Sequence, residues 1–199
     1  MDNWYQSLEK QLATCQKCRL YKTATQAVIG EGNHTPELVF VGEAPGFYED
    51  KEGRPFVGRA GQLLNELLTK INLRREDVYI TNIVKHRPPE NRDPAPDEIA
   101  ACEGYLSLQL EMLEPKLVVT LGRFSYNYFF PTGRISQDHG ELKKNLKHAV
   151  FPVYHPAAAL RNGNMKEALT EDFLRIPKIL AGLTNTVESE IDDSQLRLV

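Results

Sequence analysis

Residues 38–46 read LVFVGEAPG. An apolar run rich in valine ends in a turn of glycine, glutamate and proline. So short a run, bounded by turn residues, reads as a strand buried on both faces. Three more runs look alike: VYITN (78–82), LVVTLG (117–122) and AVFPVYH (149–155). Between them lie leucines at helical spacing in AGQLLNELLTKI (60–71). A second helix is predicted over 95–113, opened by proline and acids, and a short one over RFSYNYFF. Alternating strands and helices of this length predict βαβ units and a parallel sheet. An amphipathic helix is expected at the N-terminus, and a closing helix over 165–183, with Pro177 as a bend.

In open parallel sheets, ligands bind beyond the carboxyl ends of the strands. GEAPG, TN and YHPAAAL follow the first, second and fourth runs, so three polar motifs converge on one rim. Gly42, Pro45 and Gly46 allow a tight turn that brings backbone amides close to a ligand. Glu43 and Glu49 add carboxylates, and RPFVG presents Phe56 before the next helix. Each residue also has a plainer reading. GEAPG can be a generic phosphate loop, Phe56 a core aromatic, Asn82 a cap on a strand end, and His155 a satisfied loop histidine.

The 199 residues suit one domain with a tail, and 41% hydrophobic with 26% charged residues indicates an ordinary globular protein. No run is apolar enough to span a membrane and no signal peptide is visible, so a cytoplasmic protein is expected. The net charge of −3 sits in the last fifteen residues, where four acids face Arg197. The body is near neutral, with basic residues in two loops: Lys85, Arg87 and Arg92, then Arg161 and Lys166. Such patches can bind phosphates in a neutral protein. Three cysteines exclude a complete disulfide framework, and Cys15 and Cys18 have the C-x2-C spacing of metal sites.

Together, GEAPG…EDKEGRPFVGRAGQLL, YITNIVK, RPPENRDP and YHPAAALRN resemble the family 4, iron–sulfur uracil-DNA glycosylases, over about Cys15 to Phe173. The resemblance implies a three-layer αβα fold around a four-stranded parallel sheet. It implies hydrolysis of the N-glycosidic bond of deoxyuridine in DNA, a partner that must be unstacked before reaction. In such an enzyme Phe56 would stack on the flipped uracil. Asn82 would pair with O4 and N3–H, whereas cytosine shows the opposite pattern. His155 would stabilise charge on uracil O2. Glu43 and Glu49 would position water or offset positive charge on the sugar. Backbone near Gly42 and Ala44 would line the pocket, while Arg87, Pro156 and Arg161 would contact the DNA backbone or push into the duplex.

The family holds its cluster with four cysteines. Three match Cys15, Cys18 and Cys102; the remaining position is His86, a departure from the usual pattern. Histidine can replace thiolate on iron, so a Cys3His [4Fe-4S] cluster with a structural role is expected. The alternatives are zinc, for which Cys3His is an ordinary set, and a His86 that faces DNA. A related subfamily that traps uracil-DNA covalently also has histidine here, but with an inserted histidine-bearing loop. Residues 87–101 hold neither histidine nor insertion, so turnover is expected. The rivals are a module that binds uracil-DNA without turnover and a covalent trap.

Residues 1–184 are expected to form the domain, and 185–199 an acidic, flexible tail. Its end, QLRLV, resembles a bacterial sliding-clamp binding motif, with Gln195, Leu196 and Leu198 as contacts. A monomer is usual for the resemblance.

Overall fold

The computed structural model describes residues 3–196, with side chains as far as 184. Helix α1 (Asn3–Ala13) leads into a short edge strand, β1 (Glu31–Gly32). Strand β2 (Leu38–Gly42), helices α2 (Phe47–Glu52) and α3 (Arg59–Lys70) and strand β3 (Tyr79–Asn82) make the first crossover. Helix α4 (Pro96–Leu113) then leads to β4 (Leu117–Leu121), α5 (Arg123–Phe129) and α6 (Ile135–Asp138). The chain ends with β5 (Lys143–Lys144), β6 (Ala149–Val153), α7 (Pro156–Ala159) and α8 (Gly163–Leu196).

The sheet has six strands in the order β1-β3-β2-β4-β6-β5. Its centre, β3-β2-β4-β6, is parallel, as expected. The two outer strands are antiparallel, two-residue additions that the sequence did not reveal. Glu31–Gly32 and Lys143–Lys144 are too short and polar to show a period, and such short, charged strands suit an edge.

Side chains alternate across the sheet. Leu38, Phe40, Ile80, Val119 and Phe151 pack with Leu64 and Leu67 of α3 and Phe173 of α8. Val39, Val41, Tyr79, Val118 and Val150 point the other way, onto Leu8 and Leu12 of α1 and Leu106 and Leu110 of α4. Both faces are covered, which is why all five residues of β2 are buried and why its sequence is continuously apolar. The three-layer αβα expectation is borne out.

From β2 the chain passes to β3 on one side, then crosses to β4 on the other. Such a reversal opens a crevice at the carboxyl ends of the strands. The last helix carries on to Leu196, through most of the stretch expected to be flexible. That stretch is polar and acidic but has no glycine or proline, and helix extension adds a hydrogen bond per residue once begun. The side chains of the tail and residues 197–199, including most of QLRLV, lie outside the described residues. Among the described residues, no helix is long and apolar enough to cross a membrane.

Candidate active site

A cavity of about 660 Å³ opens over the carboxyl ends of β2, β3, β4 and β6. Glu43, Ala44, Glu49, Phe56, Asn82, His155 and Arg161 all line it. The convergence expected of the three polar motifs is therefore present.

Asn82 ends β3 and is only 1% exposed. Its Oδ1 is buried without a hydrogen-bond partner; among the described residues the other such atom is Thr120 Oγ1, inside β4. A buried unpaired acceptor costs about 1–3 kcal/mol, so this one calls for an external donor. Its position is held from below. The Lys85 ammonium donates to the Asn82 carbonyl at 2.8 Å and to Thr81 Oγ1 at 2.7 Å. Lys85 is thus fully buried, and its expected place in a phosphate-binding loop is corrected. Residues 83–86 continue inward from β3 and pair back onto the β2 turn, where Ile83 and Val84 donate to Gly42 and Glu43 carbonyls.

Gly42 explains how Asn82 and Phe56 come so close. A Cβ there would collide with Asn82 Oδ1 and come within 2.6 Å of the Phe56 ring. Phe56 is buried and has a φ of 51°, rare for a bulky residue and costing about 1–3 kcal/mol. Arg75 supports that conformation: its guanidinium donates to the Phe56 carbonyl at 3.0 Å and the Pro55 carbonyl at 2.6 Å. Glu31 in turn accepts from both Arg75 and Arg54, which holds its carboxyl below the usual range against the opposing effect of burial. Nothing local in the sequence marks Arg75, since Phe56, Pro55 and Glu31 lie 19, 20 and 44 residues away.

Glu49 lines the cavity, but its oxygens are engaged. Oε1 accepts from the Val57 and Gly58 amides, both at 3.0 Å, and Oε2 from the Gly46 amide at 3.1 Å. Gly58 caps α3, so the carboxylate also sits at a helix N-terminus, where negative charge is favoured. Glu49 clamps the GEAPG turn to the Phe56 loop. Glu43 has no such ties. Burial, then Asp93, raises its pKa to about 7, with Arg123 opposing.

His155 caps α7, and its Nδ1 accepts from the Ala157 amide at 3.1 Å. An accepting Nδ1 carries no proton, so the neutral ring carries it on Nε2. Burial, with Arg161 nearby, pushes its pKa down to about 4, so the ring is neutral at ordinary pH. Its ring centroid lies 5.8 Å from that of Phe56. Gly122, with φ +93°, makes room for it: a Cβ there would sit 2.8 Å from the His155 Cβ. Pro156 is buried in the first turn of α7. Its fixed φ starts the helix. Arg161 is exposed at the mouth, donating to the Ala157 carbonyl at 3.2 Å. Arg87 is half-buried, paired with Asn91 Oδ1 at 2.7 Å.

On the α1/α4 face, Cys102 is buried, with half-buried Cys15 and Cys18 packed against the same apolar cluster. The Lys85 amide donates to Cys102 Sγ at 3.4 Å. The thiols are close enough to raise one another's pKa, although burial is the larger cause. His86, 6% exposed, shares a cavity of about 470 Å³ with Cys15, and burial lowers its pKa. Among the described residues, no group of three or more His, Cys, Asp or Glu is arranged to hold a metal ion. Glu98, one turn before Cys102, pairs with Arg92 at 2.7 Å and Arg19 at 2.8 Å. These pairs, with the Ala95 amide, hold its pKa at about 2 despite burial, and they tie the cysteine segment to the loop along the cavity. Arg92 is therefore engaged with protein, which also amends its reading as a free phosphate contact.

Residues 29–176 match the model of the uracil DNA glycosylase superfamily. The type-4 uracil-DNA glycosylase of Sulfurisphaera tokodaii is 47% identical over 184 residues, covering 87% of this chain and 84% of that protein. That of Saccharolobus solfataricus is 45% identical, covering 95% and 92%. That of Archaeoglobus fulgidus is 45% identical, covering 85% and 90%. With a family match over most of the chain and relatives at 45–47% identity, the chain belongs to the uracil-DNA glycosylase superfamily.

Proposed function

We propose that this chain is a monofunctional uracil-DNA glycosylase of the base-excision type. The observation that carries the reading is the buried Asn82 Oδ1, unpartnered in a cavity walled by Phe56 and His155. Uracil N3–H supplies the missing donor, and the Asn82 NH2 can donate to O4. Cytosine would set acceptor against acceptor and donor against donor. Phe56 offers a fixed aromatic wall for a flipped base.

In the reaction the N1–C1′ bond breaks, and its electron pair leaves with uracil. Negative charge gathers on uracil O2, where the Nε2–H of neutral His155 can donate; a neutral donor does not surrender its proton to the leaving group. Water attacks C1′ from the other side. Glu43, when ionised, is suited to orient that water, to take its proton and to offset positive charge on the sugar. The products are uracil and an abasic site. Glu49 acts through the loops it clamps, and Arg87 and Arg161 are placed for phosphates near the mouth.

The cysteine corner fits a [4Fe-4S] cluster in donor chemistry. Three thiols pack side by side, and the buried His86 ring has no hydrogen bond to any described residue. Cys15, Cys18, Cys102 and His86 would hold the cluster, and it would serve to fasten the N-terminal segment to α4 and the loop after β3. The chain is proposed to act as a monomer and to reach replicating DNA through Gln195, Leu196 and Leu198; removing 195–199 should abolish clamp binding and spare excision.

The test is a labelled uracil oligonucleotide, treated with alkali after incubation. Alkali-dependent cleavage that disappears in His155→Ala is expected. An intact strand would overturn the proposal in favour of a binding module, and an alkali-resistant protein–DNA band would mean covalent trapping.

A further inference from the structure

Phe47 and Tyr48 are large aromatics left 52% and 58% exposed at the start of α2. They are no loose surface residues. On the helix's inner side the Asp50 carboxylate accepts from the Thr25 amide at 2.8 Å and the Thr25 hydroxyl at 2.7 Å, which fastens α2 to the body. The two rings stand edge to face, centroids 5.4 Å apart and planes at 83°. Arg87 lies with its guanidinium carbon 5.1 Å from the Phe47 ring centre, a cation–π contact that steadies the ring and keeps a positive charge beside it.

Their position connects them to the cavity on both sides. Pro45 and Gly46, which line it, immediately precede Phe47, and Arg87 adjoins Pro88, another lining residue. Tyr48 leans the other way, with Cδ2 3.5 Å from where a Cβ on Gly58 would stand, beside the Phe56 loop. The pair therefore borders the mouth through which a flipped base must enter. Flat rings, a fixed cation and continuity with the cavity together match a nucleobase attached to a phosphate backbone.

We propose that Phe47, Tyr48 and Arg87 form a platform on which the unpaired base next to the uracil stacks, giving a preference for uracil in single-stranded DNA. In a duplex that neighbour is already paired and stacked, and moving it onto the platform costs what stacking returns. In a single strand it is free, and aromatic stacking tolerates any base. The inference rests on the uracil reading of the adjoining cavity and names the strand context of its substrate.

The experiment compares the full-length protein with a Phe47→Ala/Tyr48→Ala double variant. Uracil release and anisotropy-measured binding are read on three substrates: a single strand, a fully paired duplex, and a single strand with abasic analogues flanking the uracil. On the first, the double variant is expected to bind about tenfold more weakly, seen in KM more than kcat. On the duplex the loss should stay below about twofold. With abasic neighbours, the parent protein should fall to the variant's level, a comparison that needs no substitution. Phe47→Trp/Tyr48→Trp should restore single-strand binding. Equal losses on single strand and duplex, or a parent protein indifferent to the flanking bases, would overturn the platform. Platform-dependent binding without uracil release would sink the uracil reading and sustain the platform; release with platform-independent binding would do the reverse.

Discussion

The cavity rim and the cysteine corner lie on the same sheet, yet they are organised by different means. At the rim the polypeptide supplies the rigidity. Arg75 holds Phe56 in a strained conformation, three amides saturate Glu49, Lys85 anchors the Asn82 carbonyl, and an amide fixes the His155 tautomer. At the corner, the donors converge through apolar packing and single contacts from Lys85, Leu20 and Tyr105 to separate cysteine sulfurs, and among the described residues no hydrogen bond joins one donor to another. A site that must recognise a base before any partner arrives is preorganised by strain and hydrogen bonds. If the corner holds the proposed cluster, its metal bonds can set the final geometry of its ligands.

On the proposed reading the rim serves chemistry and the corner stability, and substitutions should separate the two. The largest effect is expected for Glu43→Gln, about 10²–10⁴-fold in kcat with melting temperature unchanged or raised. The same variant tests the pH dependence. Glu43 acts ionised and titrates at about 7, so the parent's rate should fall roughly tenfold per pH unit below that value. The glutamine variant should lack that limb; a retained limb would assign it to another group. His155→Ala should follow, with kcat reduced about 10²–10³-fold and DNA binding little altered. Its pKa of about 4 places protonation well below the Glu43 limb, so a second acid limb should appear only near pH 4.

The corner should respond in the opposite sense. Cys102→Ala should lose bound iron and visible absorbance and lower the melting temperature, whereas His155→Ala keeps both. His86→Cys should retain absorbance while moving the reduction potential downward, since an added thiolate favours the oxidised state. An unchanged spectrum and potential would remove His86 from the ligand set. The smallest effect is expected for Arg75→Lys, which keeps the charge but loses the fork across the Pro55 and Phe56 carbonyls. About a tenfold drop in kcat/KM, with the pH profile preserved, would mark it as a positioning residue. A drop matched by a general loss of stability would make it merely structural.

Much of this was legible in one dimension. The four central strands show as apolar runs because parallel strands are buried on both faces, and the rim could be placed because residues follow strand ends in chain order. The edge strands were not legible, being two residues long. Glu43 and Glu49 look alike on paper, separated by one turn and a helix start. Only the folded loop reveals that Glu49 is consumed by the amides of Gly46, Val57 and Gly58 while Glu43 is desolvated and unclamped. Lys85 departs from its expected place for a similar reason. A lysine beside Arg87 suggests a basic surface, but direction relative to the sheet cannot be read from neighbours in the chain.

By itself, then, the sequence determined the αβα class, the order of the parallel strands' motifs, the rim to which they converge and the family. These depend on local periodicity and on motif order, both properties of adjacent residues. The tertiary structure alone decided which carboxylate is free, which histidine nitrogen carries the proton, that Asn82 holds an unpaired acceptor, and that two aromatics stand exposed at the cavity mouth. Each of those depends on hydrogen bonds and desolvation between segments far apart in the chain, and burial, unlike periodicity, is a property of the whole fold.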